Sequence, residues 1–227
     1  MKSLLLYNLY PKSNWKEVTE LIIGNVPYHE AIIINISLDK FDRSIRRHWY
    51  ICRYLKRYPK IEKITFSRND SKLGEVPGFD KMRNEIDYDY YDIITYTHSK
   101  GVTKSKNSNI RDWVKMMKYF VIERHDLCLN AFENGYELYG TQLHEYKYDC
   151  VRKHTFKYCD FWYGGTFVSV NLRKLKTKFI STNCLQNYYG TEAFWGQLCE
   201  FEKAYSAHNS PFSLYKHPYP ENKYVLK

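Results

Sequence analysis

His98, Ser99 and Lys100 stand side by side at the end of an apolar run, Tyr91-Asp-Ile-Ile-Thr-Tyr-Thr-His-Ser-Lys-Gly-Val102. Ile93, Ile94, Thr95 and Tyr96 are β-branched or aromatic and suit a buried strand. Gly101 then gives the backbone freedom for a turn. An imidazole, a hydroxyl and an ammonium at one strand tip are groups suited to holding an anion such as a pyrophosphate. Ligands of open α/β sheets bind beyond the carboxyl ends of the strands, so this tip is the first candidate site. A second is Gly164-Gly165, where the missing side chains let backbone approach a ligand closely. Trp162 and Tyr163 precede that pair and offer aromatic faces for a sugar. A third cluster, His144, Cys150, His154 and Cys159, contains zinc-ligand types, but its spacings match none of the usual zinc patterns.

These residues need a scaffold, and the hydrophobic pattern predicts one. Residues 3–8, 31–36, 61–66 and 91–97 read as strands, with helices over 15–25, 45–57 and 79–86 between them. Asn14 is placed to cap the first helix, with Glu17 at the capping-box position. Asp42 or Ser44 starts the second, and Pro59 ends it. The polar, glycine-punctuated stretch 68–78 reads as loop. A long amphipathic helix over 110–133 follows, capped by Asn109 and ended by Gly135. Beyond it come a strand over 136–141, a loop over 142–159, strand character over 160–170, a helix over 191–201 and an extended tail from Ser210. Strands alternating with helices predict a largely parallel sheet.

The chain of 227 residues is 44% hydrophobic and 26% charged, as a globular domain with a substantial core should be. Aromatic residues reach 18%, with 23 tyrosines. The net charge of +10 is concentrated locally. Residues 39–63 hold nine Lys/Arg against Asp39, Asp42 and Glu62, and residues 99–125 hold seven against Asp112 and Glu123. Such faces attract nucleic acid, anionic membrane or phosphorylated small molecules, and residues 39–63 read at least equally well as a solvated helix face. No nucleic-acid-binding motif accompanies the charge. Six cysteines without paired short spacings point to reduced thiols and a cytoplasmic setting. Leu4-Leu5-Leu6 is too short for a signal peptide, and no apolar run approaches the ~20 residues of a membrane span.

Four segments occur in order: Tyr96-Thr-His-Ser-Lys-Gly-Val-Thr103, Arg111-Asp-Trp-Val-Lys-Met-Met-Lys-Tyr-Phe120, Phe161-Trp-Tyr-Gly-Gly-Thr-Phe167 and Thr191-Glu-Ala-Phe194. With them the chain resembles small glycosyltransferases of the GT-A fold whose strand-end motif is H-[ST]-K-G, found in bacterial polysaccharide loci and large DNA viruses. The resemblance covers about residues 3–200. The chain departs from that pattern in three places. Gly164-Gly165 stands where the family has Gly-Asn, Asp160 where it often has His, and Asp112-Trp113-Val114 where it has D-W-R.

The resemblance implies an α/β fold of GT-A type (Rossmann-like), a mixed, largely parallel sheet flanked by helices. It implies one domain, with residues 1–100 as the nucleotide-binding half, 101–209 as the acceptor half and 210–227 as a tail. The implied activity is transfer of a hexosyl or deoxyhexosyl group from a nucleotide-diphosphate sugar to a glycan hydroxyl, in polysaccharide biosynthesis. The setting would be bacterial cytoplasm, or host cytoplasm if virus-encoded. Tyr7 would stack on the base and Asn8 read its edge, while His98, Ser99 and Lys100 would hold the diphosphate. Most GT-A enzymes place an Asp-x-Asp cation site where His98-Ser99-Lys100 stands here. A charged lysine cannot ligate a hard cation, but it can neutralise a departing diphosphate. A divalent cation, Mn or Mg, is therefore expected to be dispensable, with Glu75, Asp89 or Asp92 the ligands to consider otherwise. Trp162, Tyr163, Gly164 and Gly165 would meet the acceptor. The base that takes the acceptor's proton would be Glu192, then Asp160, then Asp149. The expected partners are the donor and a glycan, without nucleic acid or a transmembrane segment and with peripheral association to anionic membrane open. The alternatives are a basic nucleic-acid-binding domain and a degenerate glycan-binding GT-A domain.

Overall fold

Seven strands form one sheet, and the central ones, near residues 3–9, 31–38 and 93–98, carry almost unbroken buried runs, the signature of strands covered on both faces. The computed structural model describes residues 1–39, 42, 44–104, 106–145 and 159–225. The first half is β1 (Ser3–Leu9), α1 (Trp15–Ile23), β2 (Ala31–Leu38), α2 (Ile45–Leu55), β3 (Ile61–Arg68), α3 (Val76–Arg83) and β4 (Ile93–His98). Then come α4 (Ser108–Lys118), a π-helical turn at Tyr119–Glu123 and α5 (His125–Glu133). β5 (Leu138–Gly140), β6 (Leu143–Glu145), β7 (Phe161–Tyr163), β8 (Val168–Asn171), α6 (Leu172–Ser181), α7 (Gly190–Trp195) and β9 (Ala204–Ser206) complete the order.

The sheet runs β3-β2-β1-β4-β8-β5-β9, with β8 antiparallel to both its neighbours and the other pairings parallel. Successive strand residues point to opposite faces, so each strand feeds two cores. Leu5, Tyr7 and Leu9 pack with Trp15, Ile51 and Trp113 on the α1/α2/α4 side. Leu4 and Leu6 pack with Phe79, Phe179 and Trp195 on the α3/α6/α7 side. The result is the expected mixed, largely parallel sheet flanked by helices.

Several boundaries differ from expectation. The predicted helix over 110–133 is two helices, because the backbone leaves helical geometry at Arg124 (φ −93°, ψ 54°). Its cap is Asn107, whose side chain accepts from the Asn109 N–H at 3.0 Å. Asn14 makes no capping bond, whereas Ser44 does cap α2. The strand expected over 160–170 is β7 and β8, parted by Gly165 (φ 91°) and Thr166 (φ 56°) in left-handed backbone. β7 pairs with β6 in a separate small sheet. α3 begins inside the predicted loop, and α6 and β9 were not predicted. The tail is anchored: Tyr219 N–H donates to Asp112 Oδ2 at 3.3 Å.

Candidate functional site

The carboxyl ends of β1, β2 and β4 open onto a cleft of about 330 Å³. Asn8, Ser37, Glu75, His98, Ser99, Lys100 and Tyr188 are among its walls. Strand polarity puts them there. The apolar runs of β1, β2 and β4 cover the core, and each ends in polar residues at the same edge of the sheet.

His98 is held from both sides. Its Nε2 donates to the Gly165 carbonyl at 2.9 Å, and its Nδ1 pairs with Glu75 Oε1. A carbonyl only accepts, so Nε2 carries a proton, and Nδ1 faces the Glu75 carboxylate. Both ring nitrogens of His98 are thus engaged, and neither is turned to the cleft as a base or a metal ligand. The other Glu75 oxygen accepts from the Tyr96 hydroxyl at 2.8 Å. Burial alone would raise the Glu75 carboxyl. His98, the Tyr96 hydroxyl and the Lys100 charge outweigh that and hold it below the usual carboxylate range.

Ser99 stitches the strand ends together, its N–H donating to the Asn8 carbonyl at 3.0 Å and its Oγ accepting from the Tyr10 N–H at 2.7 Å. The Lys100 ammonium lies 4.1 Å from the Trp113 ring centroid and 5.5 Å from that of Tyr215. Tyr215 Oη accepts from it at 3.4 Å. Among the described residues no carboxylate forms an ion pair with Lys100. Trp113 also limits Gly165, where an added Cβ would lie 3.0 Å from its ring and 2.5 Å from Met117 Sδ. The strand-tip, helix and glycine segments, far apart in sequence, therefore meet around His98 and Lys100.

Asn8 is buried, its Oδ1 accepting from Asn35 Nδ2 at 2.9 Å and from the Ser37 hydroxyl at 3.3 Å. Tyr7, one residue earlier, points to the other face of the sheet. Its ring is enclosed in the α1-side core and its hydroxyl meets Thr19 Oγ1 at 3.1 Å, so Tyr7 presents no surface to the cleft. Trp162 and Tyr163 are likewise buried. Trp162 stacks on His144 at 5.3 Å, and the Tyr163 hydroxyl donates to the Tyr205 carbonyl at 3.1 Å. Their rings fill the small sheet's packing instead of forming an open platform.

Glu192 is half-buried in the first turn of α7. Burial raises the Tyr188 phenol, and the charges of Glu75 and Glu192 raise it further. Asp160 is exposed at the start of β7. Asp149 lies outside the described residues, as do Cys150 and His154 of the zinc-type cluster. Burial pushes the Cys159 thiol up to about 12. Asp92 binds Arg173 and the Lys2 N–H at the amino end of β4, the opposite edge from the cleft, and Asp89 pairs with Lys176. Of the fallback carboxylates only Glu75 reaches the cleft, and both its oxygens are engaged. Asp39, at the end of β2, is also engaged, by Asn69 Nδ2 at 2.7 Å and the Tyr10 hydroxyl at 2.8 Å.

The tail residue Tyr215 and the loop residues Glu75 and Tyr188 carry no local signal of their place here. Asn35 and Ser37 do, as polar residues interrupting an isoleucine-rich strand near its carboxyl end.

No protein-family model matches the sequence, and no curated protein matches it. Solved structures do. The chain is similar to 4-diphosphocytidyl-2C-methyl-D-erythritol synthase from Anaerococcus prevotii, with 11% identity and a TM-score of 0.50 over 92% of this chain and 88% of that one. It is also similar to mannosyltransferase PcManGT from Pyrobaculum calidifontis, whose structure is a complex with GDP-Man and Mn²⁺. There the identity is 8% and the TM-score 0.44, over 85% of this chain and 50% of that one. The likeness to the synthase, taken with the strand order, identifies the fold as the Rossmann-like α/β class of GT-A type.

Proposed function

We propose that this chain is a glycosyltransferase that moves a sugar from a nucleoside-diphosphate sugar to a glycan hydroxyl. The observation that carries the reading is the Lys100 ammonium, without an ion-pair partner among the described residues and held against Trp113 beside the cleft. In such a site Lys100 meets the diphosphate and neutralises charge that grows as the glycosidic C–O bond breaks. The Ser99 hydroxyl, which uses only its lone pairs for Tyr10, has its hydrogen left for a phosphoryl oxygen. His98 acts through position: its two hydrogen bonds fix the strand tip against Gly165 and Glu75. Asn8 and its network line the donor side, within the half formed by residues 1–100. Glu192 takes the proton of the attacking hydroxyl.

The residues present fit a divalent cation poorly. The oxygens of Glu75 and Asp39 are occupied by neighbouring side chains, both ring nitrogens of His98 are engaged, and Asp70, whose Oδ1 accepts from the Lys72 N–H at 2.8 Å, is left as a single carboxylate in the cleft. The charge of Lys100 performs the corresponding electrostatic task.

The deciding experiment is a melting series with nucleoside diphosphates and their sugars, in EDTA and in Mn²⁺. A donor at about 100 times its dissociation constant should add about 2.7 kcal/mol of stability, roughly 5–10 °C for a chain of this size. The shift should persist in EDTA. No shift with any common donor would end the transferase reading. A shift that vanishes in EDTA and returns with Mn²⁺ would end only the cation-independent part.

A further inference from the structure

The outer face of α2 is a feature the cleft does not use. Ile45, Arg46, Trp49, Arg53, Lys56 and Arg57 recur at helical spacing and are all exposed. The opposite face holds the helix on the core through buried Ile51 and Leu55. Ile45 is 86% exposed and Trp49 59%, and Phe66 on the neighbouring edge strand is 40% exposed. Residues 45–57 contain five Lys/Arg and no acidic residue. Among the described residues none of Arg46, Arg53, Lys56 or Arg57 forms an ion pair with a carboxylate. Arg53 lies over the Trp49 ring at 5.0 Å and Arg57 over Tyr54 at 4.7 Å.

A helix that leaves isoleucine and tryptophan in water, bordered by guanidinium groups without acidic partners, has the two attractions of an interfacial helix. Tryptophan favours the headgroup level, and basic side chains favour an anionic leaflet. A nucleic acid would satisfy the charges but offers no apolar layer for Ile45. We propose that α2 docks the protein on an anionic phospholipid bilayer, with Ile45 and Trp49 in the boundary between headgroups and acyl chains. Arg47, in the first turn of α2, donates to the Pro11 carbonyl just beyond β1 at 2.8 Å. The Ile45 end of the helix therefore lies at the carboxyl edge of the sheet, and docking brings the cleft edge to the membrane. This inference does not depend on the reaction.

Trp49 is its own probe, because Trp15, Trp113, Trp162 and Trp195 are all buried. Vesicles of phosphatidylcholine containing phosphatidylglycerol should sediment the protein and shift its tryptophan emission to the blue, and added salt should weaken both effects. Pure phosphatidylcholine vesicles should do neither. Trp49→Ala should weaken partitioning roughly tenfold and abolish the blue shift, and Arg53→Glu should weaken it at least about fivefold. Both variants should keep the parental melting temperature, since neither side chain enters the core. Sedimentation that is absent, or unchanged in both variants, would overturn the proposal. So would a blue shift that persists in Trp49→Ala, tighter retention by oligonucleotides than by vesicles, or a dimer that Trp49→Ala dissolves.

Discussion

Lys100 is charged, close to three aromatic or hydroxyl groups, and free of ion pairing among the described residues, so its effect on turnover separates function from anchoring. Lys100→Ala should lower turnover by about 10²-fold, the usual loss of one preorganised partner of a developing charge. Lys100→Arg keeps the charge and the stacking and should lose less. Steady-state rates of both variants test this, and normal turnover in the alanine variant would leave Lys100 only as a support for Tyr215. Glu192→Gln keeps shape and removes basicity. Transfer should fall ~10²–10⁴-fold while donor-induced stabilisation survives. Asp160→Asn, at an exposed position outside the cleft, should change the rate far less. The reverse order would move the base to Asp160.

At the scale of elements, α3 approaches the sheet through Gly78. A Cβ there would stand 2.4 Å from both Asn8 Oδ1 and Asn35 Nδ2. Those amides belong to a buried network in which Asn35 Nδ2 also reaches Ser37 Oγ at 3.1 Å and Ser67 Oγ at 2.9 Å. Gly78→Ala must push the helix away or break hydrogen bonds among buried groups. Overpacking of this kind costs about 1–3 kcal/mol, or roughly 2–12 °C in melting temperature for a chain of this length. Because Glu75 immediately precedes the same helix, donor affinity should fall with stability. A thermal melt with and without donor measures both, and an unchanged melt would show that α3 moves freely.

At the scale of the whole molecule, two histidines make the core sensitive to acid. His29 is fully buried, with Nε2 3.0 Å from Thr95 Oγ1. His125 packs 5.5 Å from it and meets Ser3 Oγ at 3.1 Å. Burial, and then the neighbouring His125 and Lys60, lower His29 to about 3, and burial lowers His125 as well. The unfolded chain binds the His29 proton below about pH 6.5, whereas the folded chain stays neutral down to about pH 3. Stability is therefore full above pH 6.5 and declines as pH falls through that window. His29 alone should remove up to about 2 kcal/mol by pH 5. Urea midpoints at pH 7.5 and pH 5 should show the drop, and His29→Gln, which cannot titrate, should reduce it. Equal drops in both proteins would place the acid sensitivity elsewhere.

Sequence alone determined the α/β class, because the apolar runs of β1, β2, β3 and β4 and the amphipathic segments between them are local properties. It placed His98-Ser99-Lys100 at the carboxyl edge of the sheet for the same reason: a strand must end where its polar residues begin, and parallel strands end at one edge. The pair Gly164-Gly165 reads as a place where backbone meets a ligand closely. In the fold, the groups beside Gly165 are the His98 imidazole, Trp113 and Met117, and the His98–Gly165 pairing across some 67 residues has no local trace. Tyr7 and Asn8 are neighbours in sequence, yet only the assembled layers decide which faces the cleft, because strand side chains alternate and both faces are covered. Trp162 and Tyr163 read as a platform until the β6–β7 sheet closes over them. Glu75 lay in a stretch without periodicity, and only the docking of α3 on the sheet, chiefly over β2 and β3, carries its carboxylate to His98. Local pattern fixes which residues end a strand. Long-range packing fixes which of them share a cleft, because that depends on the order and layering of strands far apart in the chain.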